Sequence, residues 1–281
     1  MAADGMQFPW RWNGDTISLN LDAIWGMSDE MKLRRRLRRL HPLRVKHRRH
    51  LVRTGAIGVS FPKSGRTWLR MILEDFYVGL PFSHAGADEL VRRKADKGPH
   101  EPSQFLNRPV VFLRRDPRDT VVSYYHDAKN RFGAFDGDLK SFIRHPRAGI
   151  EYIAKFNLRW LSRRDEFDQF LEVSYEKMHE NPVQEVRNII EFLGLSGIND
   201  ESITRACENN DFDRMRQREV SGELGSRHPG KFSKRGASAH AMKCRRGQVA
   251  GFINELDADD ILYCRHIFKW LDYPTKWLAM E

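Results

Sequence analysis

One stretch, AIGVSFPKSGRTW at 56–68, constrains this chain more than any other. An apolar run stops at a proline, a lysine and a glycine, and helix-forming residues follow. The pattern predicts a buried strand over 56–61, a tight turn over 62–65 and a helix over 67–77. A strand, loop and helix joined this way make an anion site. The unpaired N–H groups of the first helical turn point into the loop, and the helix dipole favours negative charge there. Lys63 adds a mobile cation beside those donors.

Composition bounds what the rest of the chain can be. At 281 residues it is long enough for one sizeable α/β domain with an appendage. The three cysteines, Cys207, Cys244 and Cys264, show neither C-x-x-C spacing nor a histidine at metal-ligand spacing. The expectation is a reduced, cytoplasmic protein with no structural zinc. The first residues lack a basic stretch followed by an apolar one, and nowhere do eighteen apolar residues run together, so neither secretion nor a membrane span is expected. Net charge is +10, but eleven Lys and Arg and no Asp or Glu fall within 32–53, which leaves the remainder near −1. The positive charge belongs to an appendage, so nucleic acid is not an expected partner of the core.

That appendage, 1–54, carries Trp10, Trp12 and Trp25 without a clean period. Its basic segment 31–53 places Leu33, Leu37, Leu40 and Leu43 near helical spacing, interrupted at Pro42. A basic amphipathic helix of this kind fits an anionic membrane surface, an acidic partner or RNA, and equally a solvated helix docking its leucines on the domain. Beyond it, a short strand is predicted at 80–84, a polar loop at 88–107 and a buried strand at 109–115. Helices follow at 120–131, with Pro117 in the approach, and at 148–164; a strand comes at 170–173 and a helix at 182–195. Residues 221–247 lack apolar periodicity and read as a lid, and an amphipathic helix capped by Asp257 closes the chain. Strands alternating with helices imply a parallel sheet covered on both faces.

The Walker A loop of nucleotide triphosphatases has the order G-x-x-x-x-G-K-[ST], with glycine before lysine. Here Lys63 precedes Ser64 and Gly65, which argues against a P-loop kinase. The stretch instead resembles the 5′-phosphosulfate loop Y-P-K-S-G-T-T-W of sulfotransferases that use 3′-phosphoadenosine-5′-phosphosulfate (PAPS). It matches at Pro62, Lys63, Ser64, Gly65, Thr67 and Trp68, and departs at Phe61 and Arg66. RDPRDTVVS at 115–123 is similar to the family's R-N-P-x-D-x-x-x-S, with the same spacing from Arg115 to Ser123. CRRGQVAGF at 244–252 resembles its C-terminal R-K-G segment, although Ala250 and Phe252 stand where the family has glycine and tryptophan. Tyr175 resembles the tyrosine of the family's Y-E-D-M, and Phe212 its adenine-stacking phenylalanine.

The resemblance covers 55–270 and implies a three-layer, P-loop-like α/β domain with a central parallel sheet flanked by helices. It implies that Lys63, Ser64, Gly65, Thr67 and Trp68 hold the 5′ end and adenine of PAPS; Arg66, set among these cofactor-binding positions, is expected to face either the 5′-phosphosulfate or the acceptor. Arg115, Ser123, Arg245, Arg246 and Gly247 would hold the 3′-phosphate, with Tyr175 and Phe212 completing the cofactor site. Lys63 is the expected catalytic cation and no metal is required. His84, in FSHAG where the family carries T-H-x-P, is the expected base, since imidazole exchanges protons near neutral pH. Phe82 and Gly86 replace the family's lysine and proline around it, and Glu74 is the alternative base. The reaction implied moves a sulfuryl group to a hydroxyl or amine of a small-molecule, lipid or carbohydrate acceptor. Rival readings are a P-loop kinase and a membrane-surface or nucleic-acid module led by the basic arm. The loops 86–107 and 132–146 carry no motif that names the acceptor. The family's dimer segment K-x-x-x-T-V-x-x-x-E has no match after Phe252, which leaves the oligomeric state open.

Overall fold

The computed structural model describes residues 54–91, 100–228, 232 and 241–279, together with the backbone of Trp10–Trp12, Ile17–Leu19 and Val52–Arg53. The chain divides into two compact units, 1–46 and 47–281. In the first, strands β1 (Trp10–Trp12) and β2 (Ile17–Leu19) pair antiparallel. The rest of that unit, and the basic helix predicted within 31–53 apart from Val52–Arg53, lie outside the described residues.

In the second unit β3 (Val52–Arg53) pairs parallel with β5 (Val78–Gly79). The central sheet joins β4 (Ile57–Ser60), β6 (Phe82–Ser83), β7 (Val110–Arg114) and β8 (Phe170–Ser174) in the order β6-β4-β7-β8, all parallel. Every residue of β7 is buried, as expected of a strand covered on both faces. Side chains alternate across it: Val110 and Phe112 join one core, Val111 and Leu113 the other.

The Phe112 face is covered by α2 (Pro117–His126), α3 (Leu139–Ile143), α4 (Ile150–Leu161) and, late in the chain, α10 (Ala258–Trp270). Phe112 stacks among Phe156, Trp160 and Phe170 at 5.7–6.1 Å, so Phe112→Ala would cost about 3–5 kcal/mol. The Val111 face is covered by α1 (Arg66–Asp75), α6 (Pro182–Phe192) and α7 (Asp200–Asn209). Helix α5 (Tyr175–Glu180) adds Met178 to the Val111 side, and α8 (Phe212–Val220) and α9 (Glu223–Arg227) pack Met215 and Leu224 against Met71 of α1. The architecture is the three-layer α/β sandwich expected from the alternation of strands and helices. Among the described residues no helix is long and apolar enough to cross a membrane.

Three local expectations need correction. The helix after Pro117 changes character at Asp127, where the bond from Phe132 N–H to Asp127 O (3.1 Å) closes a wider turn over Asp127–Arg131. The polar loop after Asp88 contains a turn of helix at Pro102–Phe105 whose Phe105 is buried against Trp160, an apolar anchor that local polarity masks. The stretch read as a lid begins as helix α9, with Leu224 buried; residues 229–231 and 233–240 of it lie outside the described residues.

Candidate active site

The carboxyl ends of β4, β6 and β7 open into a cavity of about 410 Å³, where open parallel sheets place their ligands. The loop between β4 and α1 forms its floor. Gly65 caps α1 at φ +96°, a left-handed conformation, and a Cβ there would lie 2.7 Å from the Tyr175 ring. Lys63 also takes positive φ (73°), a conformation held by the surrounding structure. Pro62, Lys63, Gly65, Arg66, Thr67 and Trp68 all line the cavity. Ser64 is buried and is not part of the lining.

Lys63 Nζ meets Asp127 Oδ1 at 3.2 Å, and Arg131 Nη1 reaches the same oxygen at 3.4 Å. Burial pushes the Asp127 carboxyl upward, but Lys63, Arg131 and Lys243 outweigh it and hold it below the usual carboxylate range. Lys243 also lines this end; burial, then Lys63 and Arg131, push its ammonium well below the usual lysine range while Asp127 opposes them. The floor is therefore a group of basic side chains around one carboxylate, with Lys63 and Arg131 bonded to it and Arg66 acting on Lys243.

His84 follows β6 directly, is buried and lines the cavity. Its Nδ1 lies 2.8 Å from the Ser60 carbonyl oxygen, so Nδ1–H donates there, and in the neutral ring Nε2 is the basic nitrogen. Glu74 lies on α1 but does not line the cavity; its carboxylate meets His228 Nε2 at 3.3 Å. Of the two candidate bases only His84 shares the cavity with Lys63.

The opposite end is built from β7, α2 and the C-terminal segment. Arg115 donates through Nη1 to the Lys63 carbonyl (3.3 Å) and through Nη2 to the Gln248 carbonyl (2.8 Å), and its guanidinium lies 4.1 Å from the centre of the Tyr175 ring. Its buried Nε–H finds no partner among the described residues, nor does the Trp68 indole N–H. Ser123 lines the cavity from α2. Trp68 packs edge-on to Tyr175 at 6.0 Å and within 4.9 Å of His179, whose pKa burial and then Arg115 push down to about 4. Phe212, the first residue of α8, fills the space beside Gly247, where a Cβ would lie 2.1 Å from its ring and φ is +63°.

Arg245 and Arg246 direct Nη1 to one oxygen of Glu255 at 2.8 and 3.0 Å. The other oxygen meets His126 Nε2 at 2.5 Å. Burial raises the Glu255 carboxyl, but His126 and Arg245 outweigh it and hold it down at about 2.

The cavity thus gathers every residue singled out from sequence except Ser64, which is buried beneath it, and Glu74. Asp127, Arg131, Lys243, His126, His179 and Glu255 were not anticipated. Asp127 and Arg131 stand four and eight residues after Ser123, a spacing that could have flagged them. Nothing local marks the other four. Among the described residues no group of three His, Cys, Asp or Glu is placed to hold a metal ion.

Comparison with known proteins places this arrangement. The sulfotransferase domain model matches residues 99–279, beginning after the 61–68 loop and His84. Dog sulfotransferase 1B1 is 27% identical over 192 residues, 56% of this chain and 64% of the relative. Zebrafish cytosolic sulfotransferase 1 is 26% identical over 201 residues, 58% of this chain and 66% of the relative. The chain therefore matches less than two thirds of the length of these relatives. Mouse sulfotransferase SULT7A1, solved with 3′-phosphoadenosine-5′-phosphate (PAP), superposes with a TM-score of 0.54 at 19% identity over 81% of this chain and 87% of that one. Retinol dehydratase, solved with androsterone and the inactive cofactor PAP, superposes at 0.54 and 16% identity over 83% and 84%. These structural likenesses carry the fold. With a matched span that holds the Arg115 to Ser123 frame and the Arg245–Arg246–Gly247 turn, this chain belongs to the sulfotransferase domain family.

Proposed function

We propose that this chain transfers a sulfuryl group from PAPS to a hydroxyl or amine of an acceptor, a small-molecule alcohol being the simplest that fits a cavity of this size. The observation that carries the reading is the pairing of two separate cationic groups in one cavity. Lys63, Arg131 and Lys243, with Arg66 near Lys243, gather about Asp127, Arg245 and Arg246 gather on Glu255, Arg115 lies over Tyr175, and Trp68, Tyr175 and Phe212 supply aromatic surface. That donor set suits a ligand with two anionic groups separated by an aromatic base, and the buried, unpartnered N–H groups of Arg115 and Trp68 add donors for it.

PAPS supplies the sulfuryl group and leaves as a 5′-phosphate. Lys63 and the N–H groups at the start of α1 neutralise charge at the 5′ end, positioned before the reaction rather than recruited during it. Ser64, beneath the loop, supports the Lys63 turn. Arg115, Ser123, Arg245, Arg246 and Gly247 hold the 3′-phosphate, guanidinium matching phosphate as a two-pronged donor. His84 takes the acceptor proton at Nε2, its tautomer set by the bond to Ser60 O. The basic arm over 31–53 serves as an appendage that brings the domain to an anionic surface.

Two measurements test this. PAP should raise the melting temperature as binding to the native state requires, whereas ATP with magnesium should not. A shift from ATP with magnesium alone would return the kinase reading. His84→Ala should lower turnover about 10²–10⁴-fold while PAP affinity stays within twofold. Near-normal turnover would remove His84 from the role.

A further inference from the structure

The segment 243–247 presents two arginines to the cavity yet belongs to no helix or strand. Its backbone is held from α8. Buried Glu219 accepts from Lys243 N–H at 2.9 Å through one oxygen and from Cys244 N–H at 2.8 Å through the other. Arg216 Nη1 donates to the Cys244 carbonyl at 3.2 Å and also to that of Arg245. Backbone restraint leaves a long side chain its rotamers, however, and an arginine carries about 2 kcal/mol of rotamer entropy. A phosphate captured by two unrestrained arginines would have to order both.

Glu255 removes that requirement. Its Oε1 gathers both guanidiniums, each through Nη1, one of three nitrogens, while Oε2 is tied to His126 on α2. Glu255 itself stands on fixed ground. The turn before it, Gly251–Asn254, is anchored where Asp119 accepts from Ala250 N–H and Phe252 N–H, each at 2.9 Å. Two guanidiniums against one carboxylate leave the cluster with excess positive charge, so it still attracts an anion. Resting on the PAPS reading of the cavity, we infer that Glu255 is a positioning residue that preorganises Arg245 and Arg246 for the 3′-phosphate.

The experiment compares two nucleotides on the full-length protein by calorimetry: PAP, and adenosine 5′-phosphate, which lacks the 3′-phosphate. Glu255→Gln should weaken PAP at least tenfold and adenosine 5′-phosphate less than threefold. Combined with Arg245→Ala and Arg246→Ala, it should add little to the loss the two arginine changes cause together, because the carboxylate acts through both arginines. Equal loss of both nucleotides, tighter PAP binding, or an additive loss when Glu255→Gln is placed on the variant lacking both arginines would overturn the inference. Tighter binding would make Glu255 a competitor of the phosphate. Should Glu255→Gln lose its cooperative melting transition, Glu255→Asp, which keeps the charge one methylene shorter, carries the same comparison. Wild-type protein with equal affinity for the two nucleotides would overturn the PAPS reading itself before any variant is compared.

Discussion

The two ends of the cavity solve the same problem with different materials. At the floor, Lys63, Arg131 and Lys243 surround the buried carboxylate of Asp127, and the backbone that aims Lys63 is a single local turn. At the opposite end, Arg245, Arg246 and His126 surround Glu255, and the members come from α2 and from separate turns of the C-terminal segment. Arg246 keeps 43% of its side-chain surface exposed, against 11% for Lys63. Charge in the buried, rigid floor acts through a weakly screened medium and suits the stabilisation of changing charge. At the far end only Arg246 is half-open, so its charge is screened and suits recognition, while Arg115, Arg245 and Glu255 are as buried as the floor. The floor should therefore govern rate and the far end affinity.

The sharpest way to break this contrast is Lys63→Ala, expected to lower turnover by about 10²–10³ or more, roughly 3–4 kcal/mol of transition-state stabilisation. A change confined to KM, with turnover intact, would merge the two ends into one binding surface. Arg115→Ala tests the far end. It should weaken PAP by about ten- to a hundredfold, the 1.5–3 kcal/mol of a hydrogen bond to a charged group, and leave adenosine 5′-phosphosulfate nearly unaffected. Equal calorimetric loss for both would detach Arg115 from the 3′-phosphate. Gly65→Ala probes the hinge between the ends, since it combines φ +96° with a contact on Tyr175. The expected cost is about 1–2 kcal/mol from the left-handed conformation alone, read as a lower denaturant midpoint at constant slope.

The smallest effect concerns His179, which packs on Trp68 and Tyr175. Its folded pKa of about 4 lies below the ordinary histidine value of 6.5, so the unfolded chain binds its proton first as pH falls. Stability should be fully present above pH 6.5 and decline towards pH 4. His179→Gln should flatten that part of the melting-temperature profile, and an unchanged profile would place the sensitivity elsewhere.

Much of the floor was legible before any coordinates. The order of Pro62, Lys63, Ser64 and Gly65 after an apolar run specifies a strand, a left-handed turn and a helix start, because steric limits on φ and ψ act within a few residues. The frame from Arg115 to Ser123 was legible through its resemblance to the family motif, and the structure has Asp116 capping α2 and Pro117 at its first turn. Helices α5, α7 and α8 went unmarked by comparison. Each is short and capped by one polar side chain, Ser174, Asn199 or Asp211, and gains its stability from packing rather than propensity.

By itself, then, the sequence determined the anion loop and the parallel α/β order, since each follows from conformational preferences within about a dozen positions, while the other cavity residues were named by their resemblance to family motifs. Only the tertiary structure decided how those residues are held. His126 meets Glu255 across 129 positions, Arg115 meets Gln248 across 133, and Lys243 reaches the P-loop floor from the far end of the chain. No local preference encodes such pairs. They exist because the sheet brings strand ends together and the C-terminal segment closes over them, where burying a charge is tolerated only beside an opposite one.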